Sequence, residues 1–147
     1  MAYELSPINR LVSDVVEIIR HQAAERNIEI KTQLLDKELM VTIDPLRVQQ
    51  VVLNMLSNAI KFSLDGMTIQ LVMTLVFDVN SMKYNLKISV IDAGIGMSQE
   101  DQDNLFTPFF RSNSQQAREM NSNGHGLGMS ICKSIAQQHG GDICVCS

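Results

Sequence analysis

A long segment with helical spacing is Asp44-Pro-Leu-Arg-Val-Gln-Gln-Val-Val-Leu-Asn-Met-Leu-Ser-Asn-Ala-Ile-Lys-Phe-Ser63. Asp44 can cap the free backbone amides of a helix, and Pro45 suits the first helical position, where no N–H is needed. The apolar spacing that follows predicts a helix from Asp44 to about Phe62. Its core face is predicted to carry Val48, Val52, Met55, Leu56 and Ala59.

The opposite face of this helix is a polar strip, defined here as Arg47, Gln50, Asn54, Asn58 and Lys61. Asn is a poor helix former, yet it occurs twice one turn apart, and the strip contains no carboxylate. Carboxamide oxygens suit a hard cation, and an ammonium group suits phosphate. A metal-bound polyphosphate would use both groups, although a solvated surface remains open on this strip alone.

Segments on either side of this helix predict an α+β fold, in which helices pack against one mixed sheet as a two-layer sandwich with about three long helices. Helical spacing marks Ile8–Ala24, a short helix at Gln99–Leu105 and a last helix at Gly126–Gln138. The predicted strands are Ile28–Leu35, Leu39–Ile43, Met67–Val79, Lys83–Asp92 and Asp142–Cys146. Arg111–Asn123 is almost entirely polar and predicts a long mobile loop.

Two glycine loops follow the polar strip along the chain. Asp92-Ala-Gly-Ile-Gly96 places a carboxylate at the end of an apolar strand, where it could accept a hydrogen bond from an exocyclic amine. Gly124-His-Gly-Leu-Gly128 stands directly before a helix, so that backbone amides and the helix dipole could hold an anion. Neither loop has the spacing of a Walker P-loop or of a dinucleotide-binding βαβ unit.

Composition excludes several other classes. The 147 residues have the size of one domain, and 45% hydrophobic with 19% charged residues fits a folded globular protein. The net charge of −4 offers no basic field for nucleic acid. No apolar run is long enough to span a bilayer, and three cysteines make no disulfide framework. We therefore expect a cytoplasmic segment, with membrane anchoring of a longer protein left open.

In this order, four motifs resemble the ATP-binding catalytic domain of sensor histidine kinases, in the superfamily of gyrase, Hsp90 and MutL. The polar helix, 44–63, is similar to the N box, and 92–96 is similar to the first glycine box. Phe106-Thr-Pro-Phe-Phe-Arg111 resembles the phenylalanine box, and 124–131 resembles the second glycine box. The resemblance covers about Leu5 to Ser147. It implies a Bergerat-type ATP-binding fold, with residues 1–147 as a single catalytic domain.

This resemblance implies a role for each matching residue, with ATP and Mg²⁺ as cofactors. Asn58 matches the asparagine that binds Mg²⁺ at the phosphates, and Asn54 matches its catalytic partner one turn earlier. Lys61 matches a phosphate contact, and Asp92 matches the aspartate that recognises the adenine amino group. The other implied cofactor-binding residues lie in the glycine boxes and the lid: Gly94, Gly96, Arg111, Gly124, Gly126, Leu127 and Gly128.

The partners implied are a histidine-bearing dimerisation domain of the same or a partner kinase, and a downstream response-regulator receiver. Neither nucleic acid nor direct membrane insertion is expected. His21 lacks the acceptor motif, and His139 is expected at a helix end, so the chain is not expected to phosphorylate itself. The family's closing strand and dimerisation helices have no match in the sequence, and Asp142–Cys146 is therefore expected to be an exposed sheet edge.

Three functions remain open, and position 54 discriminates between two of them. Hydrolases that resemble gyrase or Hsp90 carry Glu there as a general base for water, whereas an amide cannot take a proton. Asn54 thus favours transfer of the γ-phosphate to a histidine. The third function is a non-catalytic nucleotide-binding or docking module, which the intact Asn58, Lys61 and Asp92 disfavour.

Overall fold

The computed structural model describes residues 1–107 and 128–146. Its helices are α1 (Ile8–Ala24), α2 (Pro45–Phe62), α3 (Gln99–Asn104) and α4 (Gly128–Gln138). Its strands are β1 (Glu4–Pro7), β2 (Glu29–Gln33), β3 (Met40–Ile43), β4 (Thr68–Asp78) and β5 (Lys83–Ile91). The predicted α+β class is confirmed.

The ends of the two long helices follow from local chemistry. The Asp44 side chain accepts a hydrogen bond from the Arg47 amide at 3.3 Å, and Pro45 occupies the first turn, so the predicted start of α2 is confirmed. After α1, Asn27 adopts a left-handed conformation with φ 55°, which turns the chain towards β2. Asn tolerates this conformation better than most residues with a side chain.

The larger sheet has three strands in the order β2-β4-β5 and is mixed. β2 runs parallel to β4, with Ile30 beside Ile69, and β4 pairs with β5 in an antiparallel hairpin. β1 and β3 form a second, two-stranded antiparallel sheet, which the sequence analysis does not predict. The four residues of β1 end at a proline, which gives too short a pattern to identify a strand.

A single core joins the helices to one face of the larger sheet. α1 contributes residues such as Ile8, Val12 and Val16, and α2 contributes Val52, Leu56 and Ile60, all at most 1% exposed. They pack against the buried side chains of β4, which are Ile69, Leu71 and Met73. Each such side chain contributes roughly 1.5–3 kcal/mol through burial, so the core fixes α2 firmly on the sheet. Val48 and Met55, predicted for this core, are only half-buried.

The predicted strand Asp142–Cys146 is wrong, because these residues have no strand pairing in the structure. Their first amide makes a local bond instead: Ile143 N donates to Asp142 Oδ1 at 2.8 Å. This bond, opposed by partial burial and helped by Lys133 at 3.5 Å, lowers the pKa of Asp142. A local side-chain bond of this kind competes with strand pairing. The expected sheet edge at these residues is therefore also not present.

Among the described residues, no helix has the length and apolar character required to cross a membrane.

Candidate functional site

The polar strip of α2 divides into two halves by hydrogen bonding. Towards its start, Arg47 donates to Gln50 Oε1 at 3.3 Å, so these two exposed groups satisfy each other. Towards its end, Asn58 and Lys61 are half-buried, yet within 1–107 and 128–146 neither side chain has a hydrogen-bond or ion-pair partner. Polar groups with restricted access to water normally have partners. The second half of the strip is therefore where a ligand is expected.

The start of α4 lies against Asn54, in the middle of the polar strip. Built onto Gly128, a Cβ would lie 3.8 Å from the Asn54 carboxamide, and Asn54 Nδ2 lies 3.6 Å from the sulfur of Cys132, one turn further into α4. The first backbone amides of a helix are unpaired and carry the positive end of its dipole. The Asn54 carboxamide is thus placed beside an anion-attracting helix terminus.

The loop after β5 contacts the last residue of α2. Ile95 N donates to the Phe62 carbonyl at 3.1 Å. A Cβ on Gly94 would overlap that same carbonyl oxygen and would lie 2.8 Å from its carbon, so only glycine allows this approach. Gly96, with φ 74°, completes the turn. Gly94 is therefore required by the docking of the loop on α2, and Gly96 by the left-handed turn.

Asp92 stands at the beginning of this loop, directly after β5, and is exposed. Its Oδ1 accepts the Gly94 amide at 2.9 Å, and no donor in the described part of the chain bonds to its other oxygen. The loop thus fixes the orientation of the carboxylate and leaves Oδ2 to accept a further hydrogen bond.

The contacts of α2 with the start of α4 and with the Asp92 loop place the candidate site along this helix. Asn54, Asn58 and Phe62 lie on successive turns, which spans about 12 Å at 1.5 Å per residue. The start of α4 contacts the first of these turns, and the Asp92 loop contacts the last. Asn58 and Lys61 lie between the two contacts. An elongated anion with a flat polar end would meet all of these groups.

Residues outside the predicted site hold the end of α2 in place. Arg26 donates to the carbonyl oxygens of Ile60 and Ser63 and pairs with Asp65 at 2.7 Å. Ser63 Oγ, fully buried, donates to Ala59 O at 2.7 Å. These groups satisfy carbonyls that a helix end leaves unpaired. Sequence reasoning missed both, because Arg26 lies far from α2 in the chain and no local pattern links them.

His139 connects the end of α4 to the start of α2. Its Nε2 accepts the Asp44 amide at 3.1 Å, so its Nδ1 carries the proton and donates to Ile135 O at 2.9 Å. The Tyr3 ring packs edge-on against the His139 ring, with the ring centroids 5.3 Å apart. His139 does lie at a helix end, as predicted, but its role is a packed and hydrogen-bonded contact. The amides of Ala2 and, against partial burial, Arg47 lower the pKa of neighbouring Asp44.

Several predicted residues lie outside the described residues: Arg111, Gly124, His125, Gly126 and Leu127. The loop predicted at Arg111–Asn123 also falls there.

The donor groups present fit a phosphate-bound Mg²⁺ better than a metal held by protein alone. Among the described residues, no group of three or more His, Cys, Asp or Glu could hold a metal ion. Mg²⁺ typically uses few protein oxygens and takes others from substrate phosphates and water. The amide oxygen of Asn58 is the type of protein oxygen that could serve such a Mg²⁺, and an ammonium group and a helix start are groups that suit phosphates.

The described part of the chain thus combines an α+β fold with polar groups on one helix, between a glycine loop and a helix start. The family model described as "Histidine kinase-, DNA gyrase B-, and HSP90-like ATPase" matches residues 43–147. The chain belongs to this family, and its relatives identify the histidine kinase type.

Relatives with similar sequences are bacterial sensor kinases. Sensor histidine kinase WalK of Bacillus subtilis is 39% identical over 119 residues, which is 81% of this chain and 18% of WalK. Signal transduction histidine-protein kinase BarA of Escherichia coli is 31% identical over 141 residues, covering 93% of this chain and 15% of BarA. The chain thus spans less than a fifth of the length of either relative.

The fold also matches solved structures. The catalytic domain of histidine kinase ThkA, in a nucleotide-free form, aligns with a TM-score of 0.75 at 22% identity, covering 95% of this chain and 83% of that domain. The likeness confirms the α+β fold with its mixed sheet.

Proposed function

We propose that residues 1–147 form a catalytic domain that binds Mg-ATP and donates the γ-phosphate to a histidine on a separate phosphoacceptor domain. The observation that carries this proposal is the pair Asn58 and Lys61, half-buried on α2 between its contacts with α4 and with the Asp92 loop, and without a side-chain partner in the described part of the chain. An amide oxygen and an ammonium group in that position suit a metal-bound triphosphate.

At the phosphate end, Asn58 would hold Mg²⁺ through its amide oxygen, and Lys61 would contact a phosphate. Bound Mg²⁺ would supply neutralisation of the charge on the phosphate oxygens. The amides at the start of α4 would face the same charge. We propose that Arg111, Gly124, Gly126 and Leu127 complete this part of the site, as the family resemblance implies.

At the base end, Asp92 would accept the exocyclic amine of adenine. Its Oδ1 is already bonded to Gly94 N, which orients the carboxylate and leaves Oδ2 for the base. Guanine carries a carbonyl oxygen where adenine carries that amine, so the carboxylate would face another acceptor and repel it. This arrangement favours ATP over GTP.

Asn54 supports transfer rather than hydrolysis. A carboxamide cannot accept a proton from water, so the position beside α4 offers no general base. In transfer, an acceptor histidine nitrogen forms a bond to the γ-phosphorus while the bond to the ADP oxygen breaks. We propose a dimerisation domain of the same or a partner kinase as the acceptor, and a response-regulator receiver downstream.

Isothermal titration separates the two ends of the site. Asp92→Ala should weaken ATP and ADP alike, by about 10- to 100-fold for a lost charge-assisted bond, and should reduce the preference over GTP. Asn58→Ala should abolish the Mg²⁺ dependence of binding and keep the base preference. Asn85→Ala, exposed towards the opposite end of β5, is the control. If Asn58→Ala lost base selectivity and Asp92→Ala kept it, the assignment of the two ends would be wrong.

Phosphoryl transfer is tested with γ-labelled ATP and a separately expressed, histidine-bearing acceptor domain of a sensor kinase. The label should move to the acceptor and should not accumulate on His21 or His139 of this chain. Rapid release of inorganic phosphate without an acceptor would instead indicate an ATPase. Binding without transfer or release would indicate a docking module.

A further inference from the structure

Cys132 contacts Asn54 where α4 packs against α2. The residue is fully buried, at 0% exposed, and its sulfur is 3.6 Å from Asn54 Nδ2 and 3.9 Å from Val51 O. A Cβ added to Gly128, one turn earlier in α4, would lie 3.8 Å from the Asn54 amide nitrogen and from its carboxamide carbon. The amide end of Asn54 is therefore the end that lies against α4.

The direction of these bonds follows from the state of the thiol. Burial raises the pKa of Cys132 above its ordinary 9.0, so the sulfur keeps its proton at neutral pH. The S–H group points to Val51 O, the carbonyl within reach, and the sulfur lone pairs accept from Asn54 Nδ2. With its nitrogen held at the sulfur, the carboxamide has its oxygen Oδ1 turned away from Cys132.

We propose that Cys132 is a positioning residue: its thiol holds the Asn54 amide nitrogen against α4 and so leaves Oδ1 as the carboxamide atom that is available to the magnesium and phosphate groups. This inference rests on the proposed function and extends it. Asn54 would otherwise rotate about its terminal bond and present either end to the ligand. Alanine at 132 would remove the acceptor, whereas serine would keep one donor and one acceptor at the same place.

The first measurement needs no nucleotide. In spectra of the ¹⁵N-labelled chain, the Asn54 side-chain amide should show slow hydrogen exchange, since one of its protons is bonded inside the helix contact. Cys132→Ala should accelerate this exchange and shift the signal, and Cys132→Ser should do so much less. Cys144→Ala, at an exposed cysteine, is the matched control and should leave the signal unchanged. An Asn54 amide that is insensitive to Cys132→Ala would overturn the inference.

The second measurement is a double-mutant cycle read out by isothermal titration with ATP. Cys132→Ala should lower Mg-ATP affinity by about three- to tenfold, the effect of one ordinary hydrogen bond, and affect metal-free ATP less. In an Asn54→Ala background, Cys132→Ala should add nothing. Full additivity, or equal loss with and without Mg²⁺, would mean that Cys132 only packs the helices, and would overturn the inference. A parent chain that shows the amide signal but binds no ATP would instead refute the proposed function.

Discussion

Replacing Arg26 tests whether a residue distant in sequence supports the base end of the site. Its guanidinium donates to Ile60 O and Ser63 O, the last of these at 2.5 Å, and pairs with the Asp65 carboxylate. Next to these carbonyls, Phe62 O accepts the amide of Ile95. Arg26 therefore closes the end of α2 on which the Asp92 loop rests. Arg26→Ala should destabilise the fold and loosen that loop.

The size of the effect follows from the bonds lost. Hydrogen bonds to a charged group contribute about 1.5–3 kcal/mol each, so two would set an upper range of about 3–6 kcal/mol. The Arg26 side chain is 31% exposed, so hydrogen bonds from water to the carbonyl oxygens would recover part of this free energy in the variant. The ion pair with Asp65, whose side chain is 73% exposed, contributes only roughly 0–0.5 kcal/mol to stability. We expect a loss of about 2–3 kcal/mol, or about 5–10 °C in melting temperature for a domain of this size.

Urea denaturation and thermal melting measure this change, with Asp65→Ala as the control that removes only the exposed ion pair. Arg26→Lys should give an intermediate loss, because an ammonium group cannot reach both carbonyls and the carboxylate. ADP affinity should fall in Arg26→Ala, since Phe62 O anchors the Asp92 loop. If Arg26→Ala were no more destabilising than Asp65→Ala, the capping role of Arg26 would be refuted.

Two further predictions follow from glycine contacts and from a carboxylate. Gly128→Ala should leave the melting temperature unchanged and lower ATP affinity in titrations, because the new Cβ would meet, among the described residues, Asn54 at an ordinary 3.8 Å but would face the proposed phosphates. Gly94→Ala should lower both, since the new Cβ would overlap Phe62 O. Equal behaviour of the two variants would contradict these contacts. The pKa of Asp44 is lowered below its ordinary 3.8 by the amides of Ala2 and Arg47, so the ionised carboxylate stabilises the fold above that value and the contribution disappears as pH falls through the folded pKa. Urea denaturation should show Asp44→Asn less stable than the parent at pH 7, with the difference shrinking below about pH 4; a constant difference would show that charge is not involved.

Local signals carried most of the fold prediction. The Asp-Pro start and the apolar spacing located α2 to within a residue, because capping and burial act over one or two turns. The pairing of β1 with β3 depends on contacts between distant segments, and no local pattern specifies it. Asp142–Cys146 was predicted as a strand because its apolar residues alternate. Alternation does not specify a neighbouring strand, and the amide of Ile143 bonds to the Asp142 side chain instead.

For the site, the sequence located the polar strip but could not divide it. Arg47 and Gln50 lie on the same face of α2 as Asn58, and only the contacts of α4 and of the Asp92 loop distinguish the two halves. The contact of Cys132 with Asn54 could not be predicted from the sequence for a similar reason. Its position on the apolar face of α4 predicts burial and gives no sign that a carboxamide lies opposite.

The two ends of the site share one rigid element, and this has a consequence for how they respond to change. α2 carries the Asn54 contact with α4 and the Phe62 contact with the Asp92 loop, two turns apart. The buried face of α2 fixes both contacts relative to the sheet. A substitution of Arg26 changes the last turn of α2 and should first weaken recognition of the base. A disturbance at Cys132 acts on the turn of Asn54 and should reach the metal-dependent part of binding first. Measured in parallel, the two variants should therefore differ in which half of ATP binding they weaken, although both residues lie outside the motifs that define the family.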